Sequence, residues 1–208
     1  PSYPGAFEHL DAEHVVAGVR ALGFDKVMEV GFGAEMVAAA YVRLLKSRPW
    51  GTVISTACPA LVGYIEKYMP ELVPMLAPIV SPMVALGRAV KEQLAPGAAV
   101  VFIGPCIAKK VERLSPPVAG AVDAVLSFTG LQELWRQRGL DPASLPPATA
   151  DDPLPYMGAV FPVSGGLLKA AAIEADVLDD SILVVEGPDR CLAALRELAE
   201  GNVAPRLV

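Results

Sequence analysis

The feature that most constrains this chain is an alternation. Short apolar, β-branched runs recur between longer stretches of helical periodicity, and Gly or Pro punctuates the joins. Residues 26–31 (KVMEVG), 52–56 (TVIST), 99–103, 123–128, 157–161 and 182–185 read as strands. Residues 10–22, 34–46, 61–68, 82–94, 129–138 and 188–200 read as helices, and a further helix follows Ser164-Gly165-Gly166. Asp11 and Ser81-Pro82 supply start signals, and Gly23 and Gly139 supply stops. Residues 141–155, rich in Pro, Ala and Asp, read as a long surface loop. Strands alternating with helices predict an α/β fold with mainly parallel sheets flanked by helices. Ligands of such folds sit at the carboxyl ends of strands, so candidate functional residues are those directly after a strand.

Composition narrows the classes. The chain has 208 residues, enough for one large domain or two small lobes, and its 53% hydrophobic content excludes intrinsic disorder. Lys and Arg total 17 against 23 Asp and Glu, and there is no basic run, which argues against nucleic acid as a partner. Three cysteines, an odd number, exclude a disulfide scaffold. The longest uncharged stretches, such as residues 72–87 with Pro74, Pro78 and Pro82, fall short of the roughly 18 residues a membrane span needs. No signal peptide is visible, and a start at Pro1 reads as a processed or excised piece. The expected setting is cytoplasmic and reducing, with cysteines as free thiols or metal-bound thiolates.

Two cysteines fall where the fold class puts function. Cys58 follows TVIST and precedes Pro59; Cys106 follows VVFIG in GPCIAKKVE. At a strand-to-helix turn, helix amides favour the thiolate, the form that ligates iron–sulfur clusters. From position alone, two buried and inert cysteines are the commoner outcome, and the absence of a CxxC pair leaves the choice open. Cys191, in register with Leu192, Leu195 and Leu198, reads as a core cysteine on an apolar helix face. Lys109 and Lys110 read either as a solvated basic turn or as cations beside a cluster or anion. The SGGLLKAA segment from Ser164 suits an anion-holding nest or a close packing turn. GFGAEM at residues 31–36 lacks the third Gly of a dinucleotide fingerprint, and His9 and His14 are placed on an exposed helix.

TACPALVGYIEKYMPEL and GPCIAKKVE resemble the large-subunit catalytic domain of iron-only hydrogenases and their relatives. In the first segment Thr56, Cys58, Pro59, Tyr64, Glu66, Lys67, Pro70, Glu71 and Leu72 match the family pattern. In the second Pro105, Cys106, Ala108, Lys109, Lys110 and Glu112 match. Weaker matches at residues 22–27, at Ser81, Pro82 and Gly87, at residues 122–125 and at Phe161, Gly165 and Gly166 carry the resemblance over nearly the whole chain in the family's order.

The resemblance implies one hydrogenase-like domain over residues 1–208, with two lobes around a cleft. It implies that Cys58 and Cys106 are ligands of one 4Fe-4S cluster, their sulfurs facing a common cleft. It implies that Lys109 hydrogen-bonds a ligand of an attached two-iron subsite. The remaining cluster cysteines belong to a third family motif that does not occur by Val208, so this piece alone is expected to lack a complete cluster. The departures are specific. Ala57 stands where catalytic members carry a proton-relaying Cys, and Ala77 stands for a serine. Ala40 and Tyr41 stand for an acidic pair, Met83 for a Gln and Gly104 for a Met. Alanine cannot relay a proton. The leading expectation is therefore an iron–sulfur, hydrogenase-like domain for redox or hydrogen sensing, or for electron transfer. It would be coupled to electron-transfer or signalling domains of the same longer chain. A catalytic hydrogenase and an iron–sulfur assembly scaffold are the alternatives.

Overall fold

A computed structural model describes residues 2–47, 51–172 and 182–208. Its helices are α1 (Ala12–Ala21), α2 (Val30–Ser47), α3 (Pro59–Tyr68) and α4 (Pro82–Ala89) in the first half. The second half holds strand β1 (Val101–Ile103), α5 (Ala108–Glu112), β2 (Ala124–Leu126), α6 (Phe128–Gln137), α7 (Gly166–Ala170) and α8 (Pro188–Ala199). Ser127 caps α6 by accepting from the Gly130 N–H at 3.1 Å. Pro59, Pro82 and Pro188 each open a helix, where a missing N–H costs nothing. Among the described residues no helix is long and apolar enough to cross a membrane.

Two parallel sheet patches organise these elements. β1 and β2 pair in parallel, Val101 opposite Ala124 and Ile103 opposite Leu126. The second patch is made of single parallel bridges: Ile54 with Leu76, Val53 with Leu207, and Ile182 with Leu207. Residues 53–55 are its middle. Their backbone bonds Met75 O (2.8 Å) and Ala77 N (2.9 Å) on one side and Arg206 O (3.0 Å) and Val208 N (2.8 Å) on the other. The α/β class with parallel sheets is thus the architecture observed.

Several predicted strands take another form. Residues 52–56 and 182–185 make bridges rather than ladders. Residues 157–161 are a 3-10 turn (Met157–Val160) laid on α2. Gly158 is the reason: a Cβ there would lie 1.9 Å from Gly31 O, so turn and helix touch backbone to backbone. Glu35 holds the turn by accepting from Gly158 N at 2.9 Å and Tyr156 N at 2.5 Å. Residues 26–31 form no strand either, because α2 begins at Val30 and Val27 is already engaged. The Val27 N–H donates to Asp151 Oδ2 at 2.7 Å, and its carbonyl accepts from Asp151 N at 2.8 Å. A cavity of about 570 Å³ separates this segment from β1. The predicted helix over 82–94 changes at Val90 to a π-helical turn, and the loop over 141–155 is anchored by buried Pro142 as well as by Asp151.

Four apolar clusters bury the helix faces. One joins Val37 and Tyr41 of α2 to Ala85 of α4, Leu168 of α7, Val53 and Leu207. α2 and α4 cross closely at Gly33, whose missing Cβ leaves room for Pro82 O at 2.4 Å. A second cluster packs Val15 and Val19 of α1 on Leu131 and Trp135 of α6, and the Trp135 indole N–H donates to Gly18 O at 2.9 Å. A third packs Leu195 and Leu198 of α8 on Ile65 of α3, Ile54 and Leu72. The fourth packs Met83 and Val84 of α4 on Ala121 and Val122.

Tyr41 carries a polar tie through this core. Its side chain is fully buried, and its hydroxyl oxygen accepts the Thr56 N–H at 2.8 Å. The Tyr41 and Thr56 hydroxyls lie 3.1 Å apart, and Thr56 Oγ1 donates onward to Ile79 O at 2.6 Å. Each donor in this Thr56–Tyr41–Ile79 relay has an acceptor.

Two predictions follow from these contacts. Tyr41→Phe leaves the buried Thr56 N–H without its acceptor, at a cost of about 1–3 kcal/mol. Urea unfolding checks it, and an unchanged midpoint contradicts the tie. The second concerns acid. The Val27 N–H, and then Arg20 at 2.7 Å, hold the Asp151 carboxyl below the ordinary carboxylate range. A lowered native pKa gives stability that is present above about pH 4 and is lost as pH falls through the native value. Asp151→Asn should therefore be less stable than the parent at neutral pH, with the difference shrinking in acid. A difference that stays constant on acidification, followed by thermal unfolding, would contradict this assignment.

Candidate metal centre

Cys58 ends the extended run that begins at Val53. Its backbone is extended (φ −100°, ψ 105°), it is the N-cap of α3, and Pro59 fixes the first helical position. Thr56, two residues earlier, is locked by Tyr41 and Ile79, so the turn carrying the thiol is set from beneath. The Cys58 side chain itself is exposed.

Cys106 reaches the same region from the other sheet patch. It lies three residues past β1, and α5 begins two residues later. α5 packs against α3, which brings the two strand-to-helix turns onto adjoining helices. Cys106 is half-buried. The cavity beside β1 extends along this strand to Gly104 and Pro105, the residues just before the thiol. At its far wall the Tyr3 hydroxyl donates to Glu29 Oε1 at 3.1 Å, and burial, then the Glu29 charge, push Tyr3 up to about 12.

The two lysines divide. Lys110 is exposed, as a solvated basic turn requires. Lys109 is buried, at 8% exposure, and its ammonium donates to Glu112 Oε2 at 2.8 Å. Glu112 is likewise largely enclosed. A buried ammonium needs such a partner, and Glu112 lies one turn away on the same face of α5. Lys109 is therefore held as half of an ion pair beside Cys106.

Sequence reasoning overlooked two groups here. Ser81 Oγ is enclosed, at 1% residue exposure, and has no hydrogen-bond partner. It lies two residues beyond Ile79, whose carbonyl takes the Thr56 hydroxyl. An enclosed unpaired hydroxyl is where an external polar atom belongs. The signal is the Ser-Pro pair, which the sequence reading takes as a helix start and as a weak match to the family. Cys191 is the other. Instead of lying sealed in a core it is half-buried in the first turn of α8, its thiol 3.9 Å from Val185 O. Burial, then the charge of neighbouring Cys58, raise its pKa.

The donor chemistry suits an iron–sulfur group only in part. Cys58 and Cys106 supply soft sulfur donors at turns that lead into two contacting helices, α3 and α5. A cubane takes four thiolates, however, and the chain has three cysteines. Among the described residues, no three His, Cys, Asp or Glu side chains converge as metal ligands. Ser164-Gly165-Gly166 leads into α7 with Gly165 at φ 63°, and Gly166 is packed 2.3 Å from Val160 O by the measure of an added Cβ. That is the close packing turn.

Comparison with known proteins finds relatives in sequence and in fold. The chain is 29% identical over 175 residues to iron hydrogenase 1 of Clostridium pasteurianum, covering 76% of this chain and 30% of that protein. It is 29% identical over 181 residues to the NADP-reducing hydrogenase subunit HndD of Solidesulfovibrio fructosivorans, covering 76% of this chain and 31% of that protein. It thus spans about a third of the length of these curated relatives. Among solved structures, one from work on stepwise H-cluster assembly in an FeFe hydrogenase superposes with a TM-score of 0.64 at 26% identity, covering 78% of this chain and 45% of that one. A variant of the FeFe hydrogenase of Chlamydomonas reinhardtii gives a TM-score of 0.62 at 27% identity, covering 78% of this chain and 46% of that one. The family described as iron only hydrogenase large subunit, C-terminal domain, matches residues 1–203, and the chain belongs to that family.

Proposed function

We propose that this chain is the cluster-side part of a hydrogenase-like iron–sulfur domain that senses or transfers electrons rather than turning hydrogen over rapidly. The observation that carries this reading is the Cys58 turn. It presents an exposed thiol at the end of a parallel strand, with Ala57 beside it. Cys58 would hold iron, and Cys106 would join it from the turn before α5. An iron–sulfur cluster there would supply one-electron redox chemistry. The chain's own residues do the rest. Tyr41 and Thr56 fix the Cys58 turn, and Glu112 holds the Lys109 charge on the helix that follows Cys106.

The positions where the resemblance places a proton relay carry other residues here. Ala57 and Ala77 have no exchangeable proton, and the Tyr41 hydroxyl is spent inside the core. This favours sensing or electron transfer over catalysis, with electron-transfer or signalling domains of the same longer chain as partners. Free thiols at the site suit a reducing compartment such as the cytoplasm.

Two measurements test the reading. Anaerobic reconstitution of this chain with iron and sulfide should give well under the roughly four irons of a stable cubane, because its thiolates are too few. Four irons per chain, bound through gel filtration, would overturn that part. In the matured full-length protein hydrogen evolution should be slow, and Ala57→Cys should raise it. Unmodified protein turning over at roughly 10 per second or faster, an ordinary enzymatic rate, would make it a catalytic hydrogenase instead.

A further inference from the structure

The sheet patch of β1 and β2 ends in an open slot. Along a strand, the backbone groups of successive residues point to opposite edges. The Val100 carbonyl accepts from Ala124 N and the Gly104 N–H donates to Leu126 O, so residues 100, 102 and 104 serve β2. Val101 and Ile103 therefore turn their N–H and C=O to the other edge, where among the described residues these groups have no partner. That edge lines the cavity of about 570 Å³. The opposite wall repeats the pattern. Both backbone groups of Val27 meet Asp151, so they lie on one edge, as in an extended residue. The groups of Lys26 and Met28 then point the other way; both residues line the cavity, and among the described residues their backbone groups too have no partner. The slot is apolar on its two faces. Val19 and Leu131 come from the cluster that packs α1 on α6, and Met83 and Val122 from the cluster under α4. Ile103 packs with the first cluster and Phe102 with the second, so the two lie on opposite faces of β1. The rim is exposed at Lys26, Ala99 and Pro105.

We propose that this slot is a docking site for an extended apolar segment of another polypeptide, which enters as a strand between β1 and residues 26–28. An occupant here has to offer donors and acceptors on both of its edges at the strand repeat, and apolar groups on both of its faces. A flat ring meets one edge and an acyl chain meets neither, whereas an extended main chain with β-branched side chains meets both edges and both faces. The fit is about four residues, the length of the lining run 101–104. The segment is uncharged, because the two apolar clusters hold no partner for a charge and the Glu29 carboxylate already accepts from Tyr3. No described segment of this chain is left to fill the slot, since its extended runs at 53–55, 182–183 and 206–208 pair with one another. The bound strand joins β1 just ahead of Pro105 and so braces the turn that carries Cys106. The site uses no iron, and it stands or falls independently of the cysteine ligands.

The test adds to the whole chain a synthetic peptide with a Val-Ile-Val-Ile core and lysines at each end for solubility. Amide hydrogen exchange is read residue by residue. The Met28, Val101 and Ile103 amides should exchange freely in the chain alone and slow about tenfold or more once the peptide is bound. A second peptide of the same sequence, N-methylated at alternate residues, keeps the apolar surface but loses the N–H groups of one edge. It should bind about tenfold more weakly or worse. Three results would overturn the proposal. Amides already protected in the chain alone would mean that residues 26–28 close onto β1 without an occupant. Equal binding of the two peptides would make the slot a general apolar pocket rather than a strand site. Absent binding of the first peptide at about 1 mM would leave it no strand site at all.

Discussion

The rest of the structure depends on the backbone of residues 53–55, which hydrogen-bonds on both sides to segments distant in sequence. Neighbouring strands in this patch pair through single bridges, so no long ladder spreads the load. What makes the arrangement firm is its burial. Val53 and Ile54 are at most 1% exposed and belong to different apolar clusters, one against α2 and one against α3 and α8. Backbone polar groups at such depth must be paired, and here they are. The Cys58 thiol is exposed, yet it leaves this buried segment after only three residues. A rigid base with a free tip is what a metal ligand needs.

Tyr41 shows how a substitution at one position reorganises the chemistry of another. The family resemblance puts an acid at or beside it. A carboxylate in a fully buried site would demand a charged partner, whereas a phenol needs only hydrogen bonds. Tyr41 finds them in Thr56, two residues before the ligand candidate. A group that could have carried protons has become a brace. The ion pair of Lys109 and Glu112 does similar duty under Cys106, because two mutually neutralising charges can be enclosed where one could not.

The sequence made the alternation legible, and with it the α/β class and most helices to within a few residues. The strands were the weak point, for reasons that lie in tertiary structure. Residues 26–31 have the composition of a strand, but Asp151 captures both backbone groups of Val27 from far along the chain. Residues 157–161 have it too, but Gly158 allows a backbone approach to α2 that a ladder would forbid. At the site, Cys58 and Cys106 stood out by their places after strands and by the resemblance of the motifs around them, since no CxxC spacing marks them. The inward turn of Lys109 was not, since an AKK triplet has the same letters whether its first lysine is solvated or paired. Cys191 misled for a related cause. Helical periodicity shows which face a residue takes but not how deeply that end of the helix is enclosed.

The placement of residues 206–208 between two segments formed earlier in the chain has a kinetic side. Residues 53–55 and 182–183 cannot be joined until this segment arrives, and the loop closed between residues 53 and 207 is long. Such high contact order slows folding, since closure entropy is spent before the pairing compensates for it. Until then one flank of residues 53–55 is an unpaired apolar edge, the kind of surface on which newly made chains associate. During synthesis residues 53–55 therefore stay exposed on this flank until residues 206–208 arrive, and a holding chaperone or low translation temperature would act on that interval rather than on the finished fold.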